Sequence, residues 1–153
     1  MRRSEYGKRR PKGDASKLKV GIVVSRFNDD VTDSALEGAL EELRLWKVAA
    51  KNIRVVRVPG SFEIPYGCLQ LIKRWKPDAV IAIGCIIKGE TEHDRYIASA
   101  VSQGIARLSL DHAVPISFGV LTTNNLKQAY ARSRGAGNIG PEAAAAALEM
   151  ALL

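Results

Sequence analysis

Apolar positions along this chain follow two periods, and the periods alternate. Four short runs rich in β-branched residues, at 19–25, 53–58, 79–85 and 115–121, lack the polar alternation of a half-exposed strand and predict strands buried on both faces. Between them the spacing changes to that of a helix stripe. Leu36, Ala39, Leu40, Leu43 and Trp46 form one stripe, and Ile97, Val101, Ile105 and Leu108 form another. A helix is predicted from Ile64 to Trp75, stopping before Lys76-Pro77 because the residue ahead of a proline is pushed out of the helical region. The closing stretch PEAAAAALEMALL predicts a last helix opening on Pro141, its alanines arranged for close packing against a neighbour.

Strands alternating with helices imply right-handed crossovers, hence a parallel sheet with helices on both faces. The expected fold class is therefore α/β, a three-layer αβα arrangement around a four-stranded parallel sheet. Open sheets of this kind bind ligands at the carboxyl ends of their strands. Those exits read SRFN, PGSFE, CIIKGETEH and TTNN, so polar, aromatic and glycine residues gather on one rim.

Charge changes the picture at one place. Residues 1–19 hold eight Lys/Arg against Glu5 and Asp14, whereas the remaining residues are close to neutral within a total net charge of +7. We therefore expect a basic N-terminal arm over residues 1–18 and a single folded domain over 19–153. The arm reads as solvated, or as an electrostatic contact with RNA or an acidic neighbouring subunit. The longest apolar run, 79–87, is far short of the ~20 residues a spanning helix needs, and no signal segment is evident. Cys68 and Cys85 lack metal-ligand spacing and read as free thiols, which places the expected location in the cytoplasm.

Candidate chemistry sits on the rim. Thr91 and Asp94 have capping-box spacing, predicting a helix that starts at Thr91 with its amides facing the Gly89 turn, a setting for phosphate or another anion. His93 would lie in the first turn, able to exchange protons near neutral pH or merely exposed. His112, at the far end of that helix, reads as a partner of the helix dipole. Phe27 could stack on a planar ring or pack locally. Ser61 and Glu63 could bond a polyhydroxy ligand, or simply open a helix. Arg132, expected just beyond a short helix after the fourth strand, could reach a phosphate. No Walker loop, GxGxxG, zinc spacing or GxSxG occurs.

Five ordered segments, GIVVSRFN, VRVPGSFEIP, AVIAIGCIIKGETEH, ISFGVLTTNNLKQA and GNIGPEAAAAALEMA, together resemble the lumazine synthase family of riboflavin biosynthesis. The resemblance implies a flavodoxin-like fold. It also implies condensation of 5-amino-6-(D-ribitylamino)uracil with 3,4-dihydroxy-2-butanone 4-phosphate, without cofactor or metal. By position, Phe27, Ser61, Phe62, Glu63, Cys85, Ile86 and Ile87 match the residues that hold the pyrimidine and its ribityl chain. Gly89, Glu90, Thr91 and Arg132 match the phosphate side, and His93 the proton-transfer residue. Phe118 matches an aromatic supplied by an adjacent subunit. The implied assembly is a homopentamer, free or built into larger shells, with sites between subunits, no membrane contact and a functional association with riboflavin synthase.

The chain also departs from the family pattern. His93-Asp94-Arg95-Tyr96 stands where the family often has an aromatic directly after the histidine, and SRGAGNIG is one residue shorter than the usual loop, with Ile139 where a lysine is common. Arg134 is a candidate to replace that positive charge. Two other readings stay open at this point: a non-catalytic module for a flavin or pterin-like ligand, and a shell-forming protein of the same fold.

Overall fold

In the computed structural model, which describes residues 14–153, a four-stranded parallel sheet forms the middle layer. In chain order the elements are β1 (Val20–Ser25), α1 (Asp29–Leu45), β2 (Ile53–Val58), α2 (Ile64–Trp75), β3 (Ala79–Ile87), α3 (His93–His112), β4 (Ile116–Thr123), α4 (Leu126–Ser133) and α5 (Ile139–Ala151). The sheet order is β2-β1-β3-β4. The parallel three-layer architecture expected from the sequence is the one observed.

The central strands β1 and β3 form where unbroken apolar runs are covered on both sides, whereas β2 and β4, expected to be buried as well, are sheet edges and partly exposed, β2 carrying Arg54 and Arg57 within its run. Ile22 and Val24 of β1, with Ile81 and Ile83 of β3, pack on Ala39 and Leu43 of α1 and on Ala144 and Leu148 of α5. Val23, Val80 and Ala82 point the other way, against Cys68 and Leu71 of α2 and Val101 and Ile105 of α3. Alternate residues of one strand thus serve two separate cores. Polar residues have no place in such a run until it leaves the sheet.

The alanine-rich α5 does pack tightly, as its composition predicts. A Cβ at Gly140 would fall within 2.8 Å of the Ala39 nitrogen, so backbone meets backbone where α5 begins against α1. Asn138 ties the two: its Oδ1 accepts from Gly140 N–H (2.8 Å) and its Nδ2 donates to the Ser34 carbonyl (2.9 Å). This cap starts α5 at Ile139, two residues ahead of the predicted Pro141. At the end of α2, Lys76 takes the left-handed conformation (φ 52°) ahead of Pro77, and the helix stops as expected.

Of the expected basic arm, residues 1–13 lie outside the described residues. Ala15 is fully buried in the core beneath β1, and Leu18 packs against the same cluster.

Candidate active site

The rim is built by unequal strand lengths. β1 pairs with β3 only as far as Val24 and Ile83, while β3 continues beside β4 to Ile87 and Thr123. Cys85, Ile86 and Ile87 therefore overhang β1, with one backbone edge in the β4 ladder and the other facing the space above β1. Asn28, held in the left-handed region (φ 58°) between β1 and α1, donates its Nδ2 to the overhanging Cys85 carbonyl at 3.1 Å. An Asn tolerates that backbone well and supplies the donor that the shorter strand cannot.

The β1 and β2 exits are joined by main-chain bonds. Arg26 N–H donates to the Val58 carbonyl (2.9 Å) and Phe27 N–H to the Pro59 carbonyl (3.0 Å). Phe27 is 71% exposed, so its ring is displayed rather than packed into a core. Gly60 lies between Phe27 and Glu63: a Cβ there would stand 3.2 Å from the Phe27 ring edge and 3.1 Å from the Glu63 carboxylate. That carboxylate accepts from Gly60 N–H at 2.9 Å, so Glu63 also performs the local helix-opening task. Ser61 is buried, and its hydroxyl has no protein partner. It abuts Gly84, where an added Cβ would come within 2.7 Å of its Oγ. Phe62 points outward, 60% exposed.

Phe27, Gly60, Ser61, Glu63 and the Cys85 overhang thus form one continuous surface over three strand exits. Burial and, secondarily, the charge of Asp30 push the Cys85 thiol up to about 11, which makes it an inert wall rather than a nucleophile at neutral pH.

Beyond the overhang the chain is held more loosely. Lys88 N–H still bonds the Thr123 carbonyl at 2.8 Å, but Gly89, Glu90 and Thr91 form an exposed turn. The predicted helix start at Thr91 is corrected: α3 begins at His93, with Glu92 as its cap residue. The reason is visible in the side chains. Thr91 Oγ1 accepts from His93 N–H (3.3 Å), and Asp94 reaches past Thr91 to Gly89 N–H (3.4 Å), so the reciprocal box does not close. His93 is exposed on the first residue of α3, and a Cβ at Gly89 would meet nothing within 4 Å.

Arg132 lies inside α4, in its last turn and exposed, rather than beyond the helix. Arg134 has a partner: its guanidinium sits 3.9 Å from the centre of the Tyr130 ring, and the Tyr130 hydroxyl donates to Asp30. That hydrogen bond raises the Tyr130 pKa. Phe118 pairs with Ala82, well before the β4 exit, so it is not part of this chain's own rim. The sequence reading missed Asn28, Asp30 and Tyr130. Asn28 stood beside Phe27 in SRFN and could have been suspected as a turn residue; the Tyr130–Asp30 contact joins residues too far apart for any local signal.

A doubly wound α/β sheet with a built surface at its strand exits defines the flavodoxin-like class of small-ligand folds. Within that class, the family model described as 6,7-dimethyl-8-ribityllumazine synthase matches residues 17–153, and the chain belongs to that family. Among the described residues no helix is long and apolar enough to cross a membrane, and no His, Cys, Asp and Glu group is arranged to hold a metal ion.

Proposed function

We propose that this chain is a transferase that condenses 5-amino-6-(D-ribitylamino)uracil with 3,4-dihydroxy-2-butanone 4-phosphate, giving 6,7-dimethyl-8-ribityllumazine, phosphate and water. Family membership supports the reading. The single observation that carries it is the rim on which the Cys85–Ile87 overhang, tied to the β1 exit by Asn28, accompanies the displayed Phe27 ring beside Gly60. A planar pyrimidine fits such a slot: its face stacks on Phe27, and its amide edge meets the free backbone edge of Ile86 and Ile87. Glu63 and Ser61 then lie on the ribityl side.

In this reaction the amine, the ketone and the phosphate leaving group bring their own reactivity. The protein has to align two substrates and move protons. Orientation is worth up to ~7–11 kcal/mol, whereas general acid–base help contributes ~10²–10⁴-fold, so alignment dominates. His93 shuttles protons between amine and ketone. Gly89, Glu90 and Thr91 border the phosphate, and Arg132 supplies positive charge. Phe118, remote from its own rim, serves the site of an adjacent subunit, so that the working unit is a homopentamer.

Mixing the two substrates and following product absorbance tests the proposal. Turnover by a protein of pentameric native mass is expected. A pentamer that binds the pyrimidine yet forms no product would replace the enzyme with a binding module of the same fold.

A further inference from the structure

At the strand exits, carbonyl after carbonyl is already taken. Thr32 Oγ1, in the first turn of α1, donates to the Ser25 carbonyl at the end of β1 (2.8 Å). Arg26 N–H and Phe27 N–H occupy the Val58 and Pro59 carbonyls at the β2 exit, and Lys88 N–H occupies that of Thr123 at the β4 exit. On the overhang, the Cys85 carbonyl receives Asn28 Nδ2 at 3.1 Å. A carbonyl can only accept, so this contact also settles which way the Asn28 carboxamide points. The polar groups left uncommitted are of another kind. The hydroxyls of Ser25, Ser61 and Thr123 are buried without a protein partner, and each has a proton to donate.

Asn28 stands apart from the other donors because its side chain has a more usual task close by. It is the cap residue of α1, where an asparagine normally accepts from the first amides of its helix, yet here the side chain makes no such bond. It reaches instead across the end of β1 to β3. The geometry of β3 shows what that contact covers. Val80 N–H and Lys88 N–H donate to carbonyls of the β4 side, those of Pro115 and Thr123. The alternate positions, Cys85 and Ile87, therefore turn their main-chain groups the other way, past the last β1 pair at Val24 and Ile83. On that open side the Cys85 carbonyl is followed by Ile87 N–H. Asn28 covers the acceptor and leaves the donor.

We propose that Asn28 is a positioning residue that sets the ring selectivity of the slot. By engaging the Cys85 carbonyl it makes the overhang a donor edge, suited to a pyrimidine with a ring carbonyl and not to one with a ring amino group in its place. The inference rests on the proposed reaction, whose pyrimidine is a dione. A ring carbonyl accepts from Ile87 N–H. A ring amino group would meet that N–H donor to donor and would find the neighbouring carbonyl engaged, which leaves polar hydrogens without partners.

The test uses the full chain and two unreactive ligands: 6-(D-ribitylamino)uracil, which lacks the condensing amino group, and its 4-amino counterpart, the corresponding cytosine. Dissociation constants are measured by titration calorimetry near neutral pH. Wild type should prefer the uracil roughly tenfold or more. Asn28→Gly keeps the left-handed turn accessible and removes the donor, so the preference should fall to about threefold or less. Asn28→Asp also tolerates that backbone but puts a carboxylate where the donor stood, and it should favour the cytosine. Melting temperatures identify the folded variants, and either one alone is sufficient. An unchanged preference in a folded variant, or equal weakening of both ligands, would overturn the inference and leave the proposed reaction standing. Wild type that binds neither ligand would overturn the reading of the slot itself, and the inference with it.

Discussion

The two halves of the rim are made differently. On the side of Phe27 and Glu63, main-chain bonds of 2.9–3.0 Å lock the β1 exit to the β2 exit, and Asn28 fixes the β3 overhang from above. On the side of Gly89 and His93, the turn is exposed and its capping bonds are 3.3–3.4 Å long. The first half inherits its shape from the sheet. The second is a short bridge between a buried strand and a helix, with little of its own to hold it. A flat heterocycle rewards a fixed slot, because stacking and edge bonding both demand exact placement. A phosphate is nearly spherical in its demands and tolerates a turn that settles around it.

Substitutions can break or sharpen this contrast. The largest effect is expected for Gly84→Val, which forces side-chain atoms into Ser61 Oγ and Ile64 Cδ1, at 2.7 and 2.8 Å from the Cβ position alone. Overpacking of this kind costs about 1–3 kcal/mol, and the slot should distort with it. Thermal denaturation and turnover should both fall; a normal melting temperature with full activity would show that the first half is not rigid. His93→Ala should come next, slowing turnover about a hundredfold without abolishing it, since alignment survives the loss of a proton shuttle. Complete loss in a correctly folded and assembled variant would reverse the ranking of alignment over proton transfer.

Phe27→Ala should raise the Michaelis constant for the pyrimidine substrate roughly tenfold, in keeping with a lost stacking contact, and leave that for the butanone phosphate nearly unchanged. Equal increases for both substrates would mean that the two halves are not separable. The smallest effect is expected for Arg134→Ala. Its charge lies over Tyr130, so the loss should be about 0.5–1 kcal/mol of stability, with the Michaelis constant for the butanone phosphate within twofold of wild type. A larger rise in that constant would show that Arg134 leaves the tyrosine to reach the phosphate, replacing the lysine that Ile139 cannot imitate.

The sequence was informative wherever one requirement dominated. β2 was predicted to the residue and the other strands to within two, because β-branched runs favour strands and polar residues mark their exits; burial on both faces, expected for all four, holds for β1 and β3 and fails for the edge strands β2 and β4. The stop at Lys76 was equally plain, since proline acts on its immediate neighbour. Legibility declined where side chains chose among near-equal partners. Asp94 bonds the amide of Gly89 instead of closing the expected box on Thr91, and α3 starts at His93. The overhang itself could not be foreseen, because it depends on β1 and β3 ending at different heights, a property of register rather than of either run alone. Tyr130 and Asp30 meet only after the sheet has brought α4 over the start of α1. Phe118 is 43% exposed at mid-strand, paired with Ala82 and away from the strand exits of its own chain.

The step between the ends of β1 and β3 also limits how this scaffold can change. Sliding the central strand by a single residue would turn Cys85 and Ile86 onto opposite faces, swapping a wall of the cleft for part of the hydrophobic interior. In the proposed reaction, recognition at that ledge is thus welded to folding, and new preferences have to be acquired on the turns around it.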